Sequence, residues 1–284
     1  MVRSGWTTSV STERPSDALR AALFRLGLFG LARRGRDWLR IVRSARANRP
    51  YLTNGAPDGL PIPPASLRIL VAATPDIAWF LDSGRRGADS VRVALERNGL
   101  ALEGAAPLLD FGCGCGRVLR HFAALGGAVH GTDFNPTLVD WCRGNLPFGH
   151  FEANGLAPLL PFEGGRFGLV YALSVFTHLP EALQSAWMDE VRRVLRPGGH
   201  LVFTTHGSRY AADLTPAEQE RFALGKLVLR RDDRPGSNVC GAYHPEIYVR
   251  EQLALGFTVV DFVREGASGN PWQDLWLLRR DLRG

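Results

Sequence analysis

The sequence predicts an α/β fold in which helices cover both faces of a parallel sheet, preceded by a helical N-terminal extension. Three observations support this prediction. Apolar strand-like segments alternate with helix-like segments from residue 106 onward, and this alternation is typical of parallel sheets. A glycine-rich turn follows the first of these strands. The length of 284 residues suits one large domain with an added piece.

Residues 1–50 are predicted to form a basic helical extension. They contain 11 arginines and three acidic residues, a net charge of +8, so residues 51–284 carry −2 of the chain's +6. Leucines and phenylalanines in 17–49 recur at near-helical spacing, which predicts one or two helices. Three interpretations of this segment remain open: a solvated or partner-packed helix, a nucleic-acid arm, or a membrane-surface helix. The membrane-surface helix would bury Phe24, Leu28, Phe29 and Trp38. Because the rest of the chain is not basic, nucleic acid is the less favoured partner.

Residues 51–105 are predicted to be a helical region. A segment rich in proline and glycine, 50–64, marks its boundary with the extension. Three short helices are expected after this boundary, over 67–72, over 75–81 and over 86–98, where Gly99 ends the last one.

Residues 106–284 are predicted to form the main α/β domain. The expected strands read PLLDFG, AVHGTD, HFEA, FGLVYAL, HLVFTT, FTVVDFV and WQDLWLLR. The expected helices cover 117–125, 136–144, 180–195 and 245–255, and proline or glycine marks several of their ends. Residues 207–244 show neither pattern and are expected to be an irregular insertion.

Cysteine content and targeting signals favour a reducing compartment. The four cysteines are too few for a disulfide framework in a chain of this length. Cys113-Gly-Cys115 lacks the partner ligands of a zinc site, so no metal is expected. The chain begins with polar residues, and arginines interrupt its longest apolar stretch, 18–32. We therefore expect a cytoplasmic protein, peripheral at the membrane surface if the basic extension binds lipid.

The segment LDFGCGCGR, residues 109–117, is the most informative one for function. Its three glycines let the backbone turn with positive φ and let a ligand approach closely. Their G-x-G-x-G spacing differs from the dinucleotide pattern G-x-G-x-x-G, and Arg117 stands where that pattern has Gly or Ala. Asp110, just before the loop, would repel a pyrophosphate and suit a cationic ligand.

A second acidic residue, Asp133, follows 23 residues after Asp110, at the end of the next predicted strand. In dinucleotide enzymes a carboxylate about 20 residues beyond the glycine loop accepts hydrogen bonds from the ribose hydroxyls. A nucleoside site without the usual phosphate signature indicates S-adenosylmethionine (SAM) as the ligand.

The segment 108–205 resembles the class I SAM-dependent methyltransferases. The matching pieces occur in the family's order and read LLDFGCGCGR, GTDFNP, ANGLAPLLPF, RFGLVYALSVFTHL and EVRRVLRPGGHLVFTTHG, and WQDLWLLRR resembles the closing strand of bacterial relatives. The resemblance implies a Rossmann-like fold with a seven-stranded sheet whose last strand is antiparallel, and SAM as the co-substrate. It also implies that the helices of 51–105 cap the cofactor site and shape the acceptor pocket.

The resemblance further implies roles for individual residues. Those expected to bind the amino-acid end of SAM are Asp110, Gly112, Cys113, Gly114 and Gly116. Asp133 is expected to hold the ribose and Phe134 to pack on adenine. Asn154, with Gly155 and Leu156 beside it, is expected to face the adenine amino group. An amide at 154 replaces an acid that is frequent in the family, and it can still form a hydrogen bond.

The sequence constrains the acceptor side least. Methyl transfer from a sulfonium is a direct displacement, so the protein mainly aligns the reactants and excludes water. A base is needed only for a hydroxyl or a protonated nitrogen. The candidate bases follow predicted strands or close the 207–244 insertion, which is the candidate lid; they are His178, His206, Tyr243 and His244.

The sequence therefore predicts a methyltransferase acting on an oxygen or nitrogen of a sugar, glycolipid or secondary metabolite. Three alternatives remain: an RNA methyltransferase that uses the basic extension, a dehydrogenase, and a non-catalytic interaction subunit with the SAM fold. Arg117 argues against the dehydrogenase. The intact glycine loop and Asp133 argue against the non-catalytic subunit. The oligomeric state is not readable from the sequence.

Overall fold

The structure is a computed structural model that describes residues 29–231, 236, 240–270 and 272–282, with side chains from residue 34 onward. The chain divides into two compact units, residues 1–46 and 47–284. Phe24 and Leu28 lie outside the described residues, as do the side chain of Phe29 and the predicted helical segment 17–28. Within the described part of the chain, no helix is both long enough and apolar enough to span a membrane.

The first described helix, α1 (Phe29–Asn54), extends further than the sequence predicts. The proline at residue 50 predicts a helix end, but the helix continues through Pro50 for one more turn. Proline removes one N–H from the helical ladder, and the residues after it keep helical geometry. Gly55 ends the helix with a φ of +81° and donates its N–H to the Tyr51 carbonyl oxygen at 2.9 Å. The irregular segment therefore begins at Gly55.

Two helices follow, α2 (Ala65–Ala72) and α3 (Ile77–Glu96). The sequence predicts two helices within 75–98, and this prediction is wrong because α3 is continuous. Gly84 and Gly87 suggest a helix break, yet their role is close packing. A Cβ on Gly84 would overlap the carbonyl oxygen of Arg117, so the small residue lets α3 lie directly on the segment after the glycine loop.

The described residues after the helical region form nine strands: β1 (Leu108–Phe111), β2 (Val129–Asp133), β3 (Gly149–Ala153), β4 (Phe167–Ala172), β5 (Leu195–Thr205), β6 (Val228–Arg230), β7 (Gly241–Tyr243), β8 (Phe257–Val263) and β9 (Asp274–Arg280). Seven of them form one sheet with the order β3-β2-β1-β4-β5-β9-β8. Neighbours from β3 to β5 pair in parallel, and β9 pairs antiparallel with both β5 and β8. The predicted α/β fold with an antiparallel last strand is confirmed.

Helices connect the parallel strands, with α4 (Pro136–Asn145) after β2 and α5 (Glu181–Val194) after β4. The helix predicted after β1 is instead a 3₁₀ segment, Leu119–Ala128. The RPGG signal predicts an irregular helix stop, but β5 already begins at Leu195 and includes this turn. The register between β4 and β5 shifts across the turn, because Phe167 pairs with Leu195 and Leu169 pairs with His200.

The insertion predicted to be irregular contains ordered elements. It holds α6 (Ser208–Ala211), α7 (Pro216–Ala223) and the antiparallel pair of β6 and β7. Each element is short, which explains why no periodicity is visible in the sequence. After the insertion, α8 (Glu246–Tyr248) continues into a π-helical turn, Val249–Leu253.

Apolar side chains pack against both faces of the sheet. Trp187, Phe203 and Trp276 belong to one buried cluster, and Phe122 and Tyr171 belong to a second. Burial on both faces explains why the inner strands read as continuous apolar runs. It also leaves the strand ends as the place where polar side chains meet, and parallel α/β sheets bind their ligands at the carboxyl end.

Candidate functional site

The glycine loop joins β1 to the 3₁₀ segment. Gly112, Gly114 and Gly116 all have positive φ values, +86°, +56° and +74°. A Cβ on Gly114 would lie 2.8 Å from a methyl carbon of Val71 in α2. Glycine is needed here both for the left-handed backbone and for the close approach of α2.

Most N–H groups of the loop are already donated within the protein. Those of Gly112 and Cys113 both lie 2.8 Å from the Thr132 carbonyl oxygen, and that of Gly116 bonds the Cys113 carbonyl oxygen at 3.0 Å. The Gly114 N–H bonds a carboxylate oxygen of Asp133 at 2.9 Å. These four donors therefore do not form the anion-binding nest that a pyrophosphate requires, which agrees with the departure from the dinucleotide pattern.

Asp133 ends β2 beside the loop and is buried. Its Oδ2 accepts the Gly114 N–H, and its Oδ1 accepts the Asn135 N–H at 2.8 Å. Burial raises the pKa of Asp133, and the hydrogen bonds from Asn135 and Gly114 oppose this rise. A carboxylate has about four acceptor positions. The two that these bonds leave match the two hydroxyls of a ribose.

Asp110 is the last residue but one of β1, just before the loop. Its Oδ2 accepts the Tyr171 hydroxyl at 2.9 Å. Burial raises the pKa of Asp110 to about 8, although the Tyr171 hydrogen bond and the Arg117 charge lower it. The buried Arg117 donates to the Ser83 hydroxyl at 3.2 Å and to the Asn270 amide oxygen at 3.1 Å. A buried carboxyl that is close to neutral is poised to ionise when a cation binds beside it.

The expected adenine side is formed by residues after β2 and β3. Phe134 and Leu156 are 43% and 41% exposed. A Cβ on Gly236, from the insertion, would lie 3.2 Å from both side chains, so the insertion reaches the same place. The amide of Asn154 donates to the Gly155 carbonyl oxygen at 2.8 Å, while its buried Oδ1 has no hydrogen-bond partner among the described residues. Asn154 thus offers an acceptor here.

The candidate bases divide into two groups. The rings of His178 and His206 are 6.3 Å apart, and those of His206 and Tyr243 are 5.5 Å apart. His206 and Tyr243 form a parallel β-bridge that holds β7 beside the end of β5. The fourth, His244, has a buried imidazole whose Nε2 lies 3.2 Å from the Gln184 amide oxygen. The fold therefore brings three of the four together.

Hydrogen-bond partners decide where the imidazole protons lie. His178 Nδ1 is 2.7 Å from the Cys240 carbonyl oxygen, which only accepts, so Nδ1 carries the proton and Nε2 the lone pair. In His244, Nε2 carries the proton, because the Gln184 amide nitrogen already donates to the Leu179 carbonyl oxygen at 2.9 Å and its oxygen must accept. The two histidines are therefore opposite tautomers.

Gln273 connects the ends of three strands, and sequence reasoning did not identify it. Its amide oxygen accepts the Thr204 hydroxyl at 2.6 Å, and its nitrogen donates to the Ser174 hydroxyl at 2.9 Å. The same nitrogen lies 3.3 Å from His206 Nε2, which accepts from it. The signal available in the sequence is one amide directly before the last strand.

His178 and His206, which form a cluster with Tyr243, stay neutral at pH 7. Burial lowers the pKa of His178, although the Cys240 carbonyl raises it. Burial and the charge of His178 lower the pKa of His206 to about 3. Neutral imidazoles act as proton acceptors at physiological pH. Among the described residues, no three His, Cys, Asp or Glu side chains lie close enough to hold a metal ion.

Comparisons with known proteins find similarity to methyltransferases. Residues 109–203 match a family model described as a methyltransferase domain. An uncharacterized methyltransferase of Synechocystis sp. is 38% identical over 102 residues, 35% of this chain and 47% of that protein. A malonyl-acyl-carrier-protein O-methyltransferase of Enterobacter lignolyticus is 28% identical over 62% of this chain and 65% of its own length. The chain thus matches less than two thirds of either relative.

Solved structures share the fold. A SAM-dependent methyltransferase from Mesorhizobium loti superimposes with a TM-score of 0.52 at 22% sequence identity. The match covers 68% of this chain and 100% of that chain. At this sequence identity, the match shows that the two proteins share the arrangement of the sheet and its helices.

Proposed function

Since the chain carries a class I SAM-dependent methyltransferase domain, we propose that it moves the methyl group of SAM to an oxygen or nitrogen atom of a small or medium-sized acceptor. Asp133 is the observation that carries the proposal. It is a buried carboxylate with two open acceptor positions, at the carboxyl edge of the sheet beside the glycine loop. The name of the Enterobacter lignolyticus relative supports oxygen as the acceptor atom.

The residues around the loop fit the parts of SAM. Asp133 would accept the ribose hydroxyls, and the unpartnered Oδ1 of Asn154 would accept from the adenine amino group. The exposed faces of Phe134 and Leu156 would flank the adenine ring. The loop of Gly112, Cys113, Gly114 and Gly116 lets the amino-acid end approach the backbone, and Asp110 would supply a negative charge there once a bound cation ionises it. Gly155 follows Asn154 in the segment just after β3, on the proposed adenine side.

The helical region 51–105 fits a cap over this site. Val71 of α2 lies against Gly114, and Ser83 of α3 accepts a hydrogen bond from Arg117. Both contacts fall on the glycine loop or directly after it. We assign to α2 and α3 the exclusion of water from the donor side, which a displacement at a sulfonium requires.

The bound SAM supplies a methyl group activated by a positively charged sulfur. The acceptor's lone pair forms the new bond to the methyl carbon while the carbon–sulfur bond breaks, and the sulfur leaves as the thioether of S-adenosylhomocysteine. A hydroxyl acceptor also loses one proton. We assign this proton to Nε2 of His178, whose lone pair is left available by the bond from Nδ1 to Cys240.

The other candidate bases have different roles in this proposal. His206 accepts from Gln273 through Nε2, so it orients the cluster. The rings of Tyr210 and Tyr243 lie 4.1 Å and 5.5 Å from the ring of His206, and such aromatic faces suit a ring-shaped acceptor, as in a sugar, a glycolipid or a secondary metabolite. His244 has no part in the proposal, because its imidazole is buried against Gln184.

The tautomers give a prediction that needs no acceptor. Long-range proton–nitrogen NMR of protein with ¹⁵N-labelled histidine at pH 7 is expected to show His178 protonated on Nδ1 and His244 protonated on Nε2. His178→Gln and His244→Gln assign the signals, and each histidine serves as the control for the other. Finding His178 protonated on Nε2 would contradict the hydrogen-bond assignment that makes it the base.

Asp110 gives a pH-dependent prediction for the donor. Its pKa of about 8 means that it is mostly protonated at pH 7, and a cation beside it favours the ionised form. SAM affinity is therefore expected to rise by about fivefold from pH 7 to pH 8, with release of a proton. Calorimetry in buffers of different ionisation enthalpy measures this release.

The ammonium group of SAM titrates in the same range, so Asp110→Asn is the required control. Asp110→Asn removes the part of the pH dependence of SAM affinity that comes from Asp110 and leaves the part that comes from the ammonium group. An identical pH profile for the wild type and Asp110→Asn would show that Asp110 does not sense the ligand's charge.

The proposed function is tested by titrating the purified full chain with SAM and, separately, with NADH, followed by transfer assays with labelled SAM. The assays offer hydroxyl, carboxyl and amine acceptors, and RNA. We expect SAM binding without an NADH signal and transfer to a small acceptor. NADH binding would support a dehydrogenase, transfer to RNA an RNA methyltransferase, and SAM binding without any transfer a non-catalytic subunit. A folded protein that does not bind SAM would refute the proposal.

A further inference from the structure

The surface of α1 between residues 34 and 46 combines exposed apolar side chains with exposed arginines. Trp38 and Val42 are 61% and 50% exposed, and Ile41 is also exposed. With Ala45, these residues follow the spacing i, i+3, i+4 and i+7, which places them on one face of a helix. Large apolar side chains grouped on one exposed face indicate an interaction surface.

The same stretch is basic, and it also exposes Leu39 next to Trp38 in the chain. Arg34, Arg36, Arg43 and Arg46 are exposed, and Asp37 is the one acidic residue in the sequence of α1. Arg36 lies 3.9 Å from Asp37 at the surface. The stretch therefore combines its apolar face with a strong positive charge.

We propose that the surface of residues 34–46 binds an anionic phospholipid bilayer, with the helix lying in the plane of the membrane. The apolar face would enter the boundary between headgroups and acyl chains, and the arginines would bond the lipid phosphates. This inference is independent of the methyl-transfer reaction, because it uses residues outside the proposed donor and acceptor sites.

Charge complementarity distinguishes this occupant from the other candidates. A second copy of the chain would bring the same arginines together, and like charges in an interface oppose association. RNA would use the arginines but would leave Trp38 and Val42 in water, because nucleic-acid binding rests mainly on phosphate contacts. An anionic bilayer satisfies both the charge and the apolar face.

The experiment measures co-sedimentation of the full chain with vesicles of phosphatidylcholine alone and with vesicles containing phosphatidylglycerol. We expect binding to the anionic vesicles and weak binding to the neutral ones, with a decrease at high salt because the charge contribution is screened. The double variant Val42→Glu/Arg43→Glu is expected to lower the partition coefficient by about tenfold or more.

The chain provides a matched control in Leu224→Glu/Lys226→Glu. Leu224 and Lys226 are also exposed, and their replacement makes the same change in charge at a surface outside α1. This variant is expected to bind vesicles as the wild type does. Circular dichroism and thermal unfolding of both variants show that they are folded, since none of the four side chains is buried.

Three results would overturn the proposal. The first is a wild type that does not bind anionic vesicles. The second is a control variant that loses binding to the same extent, which would indicate a response to net charge alone. The third is evidence that the surface serves another partner. Such evidence would be that Val42→Glu/Arg43→Glu loses salt-dependent RNA binding, or loses a dimer seen in analytical ultracentrifugation, while its vesicle binding is unchanged.

Discussion

Replacing Asp133 with alanine is expected to weaken SAM binding by about 1–3 kcal/mol, the typical loss when hydrogen bonds to a charged acceptor are removed. The change removes the acceptor positions proposed for the ribose. It also removes the acceptor of the Gly114 N–H, which lies 2.9 Å from the carboxylate. Calorimetric titration with SAM measures the effect, and Asp133→Asn is expected to lose less because the amide keeps one acceptor oxygen.

Asp140→Ala is the matched control for this prediction. Asp140 is an exposed acid in the helix that follows Asp133, and it pairs with Arg143 at 3.3 Å on the surface. Its removal changes the charge near the site but removes no proposed contact to SAM. Unchanged SAM affinity in Asp133→Ala, with a normal thermal unfolding curve, would show that the ribose assignment is wrong.

The second large effect is expected from Asp58→Ala, which should lower the free energy of unfolding by about 3 kcal/mol, because it leaves the charge of the buried Arg120 without its partner. Asp58 binds both Nε and Nη2 of Arg120, at 2.6 Å and 2.8 Å. Arg120 is almost fully buried. Without Asp58, the Arg120 guanidinium would still donate to the Leu60 carbonyl oxygen at 3.1 Å. It would lose the negative charge that Asp58 provides. Urea unfolding followed by circular dichroism measures the loss.

Asp82→Ala is the control for Asp58→Ala. Asp82 pairs with Arg85 at 2.9 Å and with Arg86 at 3.0 Å, but all three side chains are exposed. Exposed ion pairs contribute little, so this variant should unfold close to the wild type. Equal losses in the two variants would refute the argument from burial.

The same ion pair predicts a direction for the pH dependence of stability. Burial raises the pKa of Asp58, but the hydrogen bond and charge of Arg120 more than offset this, and the pKa is lowered. A carboxyl whose pKa is lower in the folded protein stabilises the fold at pH values above its pKa in the unfolded chain, which is about 4. The wild type should therefore lose this contribution as the pH falls below about 4, and Asp58→Ala should not.

The parts of the site that lie in contiguous motifs could be predicted from the sequence. The glycine loop and Asp133 follow or end neighbouring predicted strands. In a parallel sheet the carboxyl ends of such strands meet at one edge, where ligands bind. The structure places Asp110 near the end of β1 and Asp133 at the end of β2, the neighbouring parallel strand. The segment 207–244 could not be predicted in the same way, because its helices and strands are too short to produce a readable period.

Two glycines within α3 show how a local signal can mislead. Gly84 and Gly87 indicate a helix break when only local propensity is considered. The structure keeps α3 continuous, because the absence of a side chain at Gly84 allows contact with the Arg117 backbone. A helix end and a packing contact require the same residue type, and only the neighbouring segment distinguishes them.

The sequence by itself determined the α/β class, the order of the seven strands of the main sheet, and the carboxylates expected to hold the donor, because these depend on short-range patterns. The tertiary structure decided which histidine keeps a free lone pair, because His178 depends on the carbonyl of Cys240, 62 residues away. It also decided the partner of Asp110, since Tyr171 lies 61 residues further along the chain. Proton positions and buried charges follow from contacts between distant residues, and no local pattern encodes those contacts.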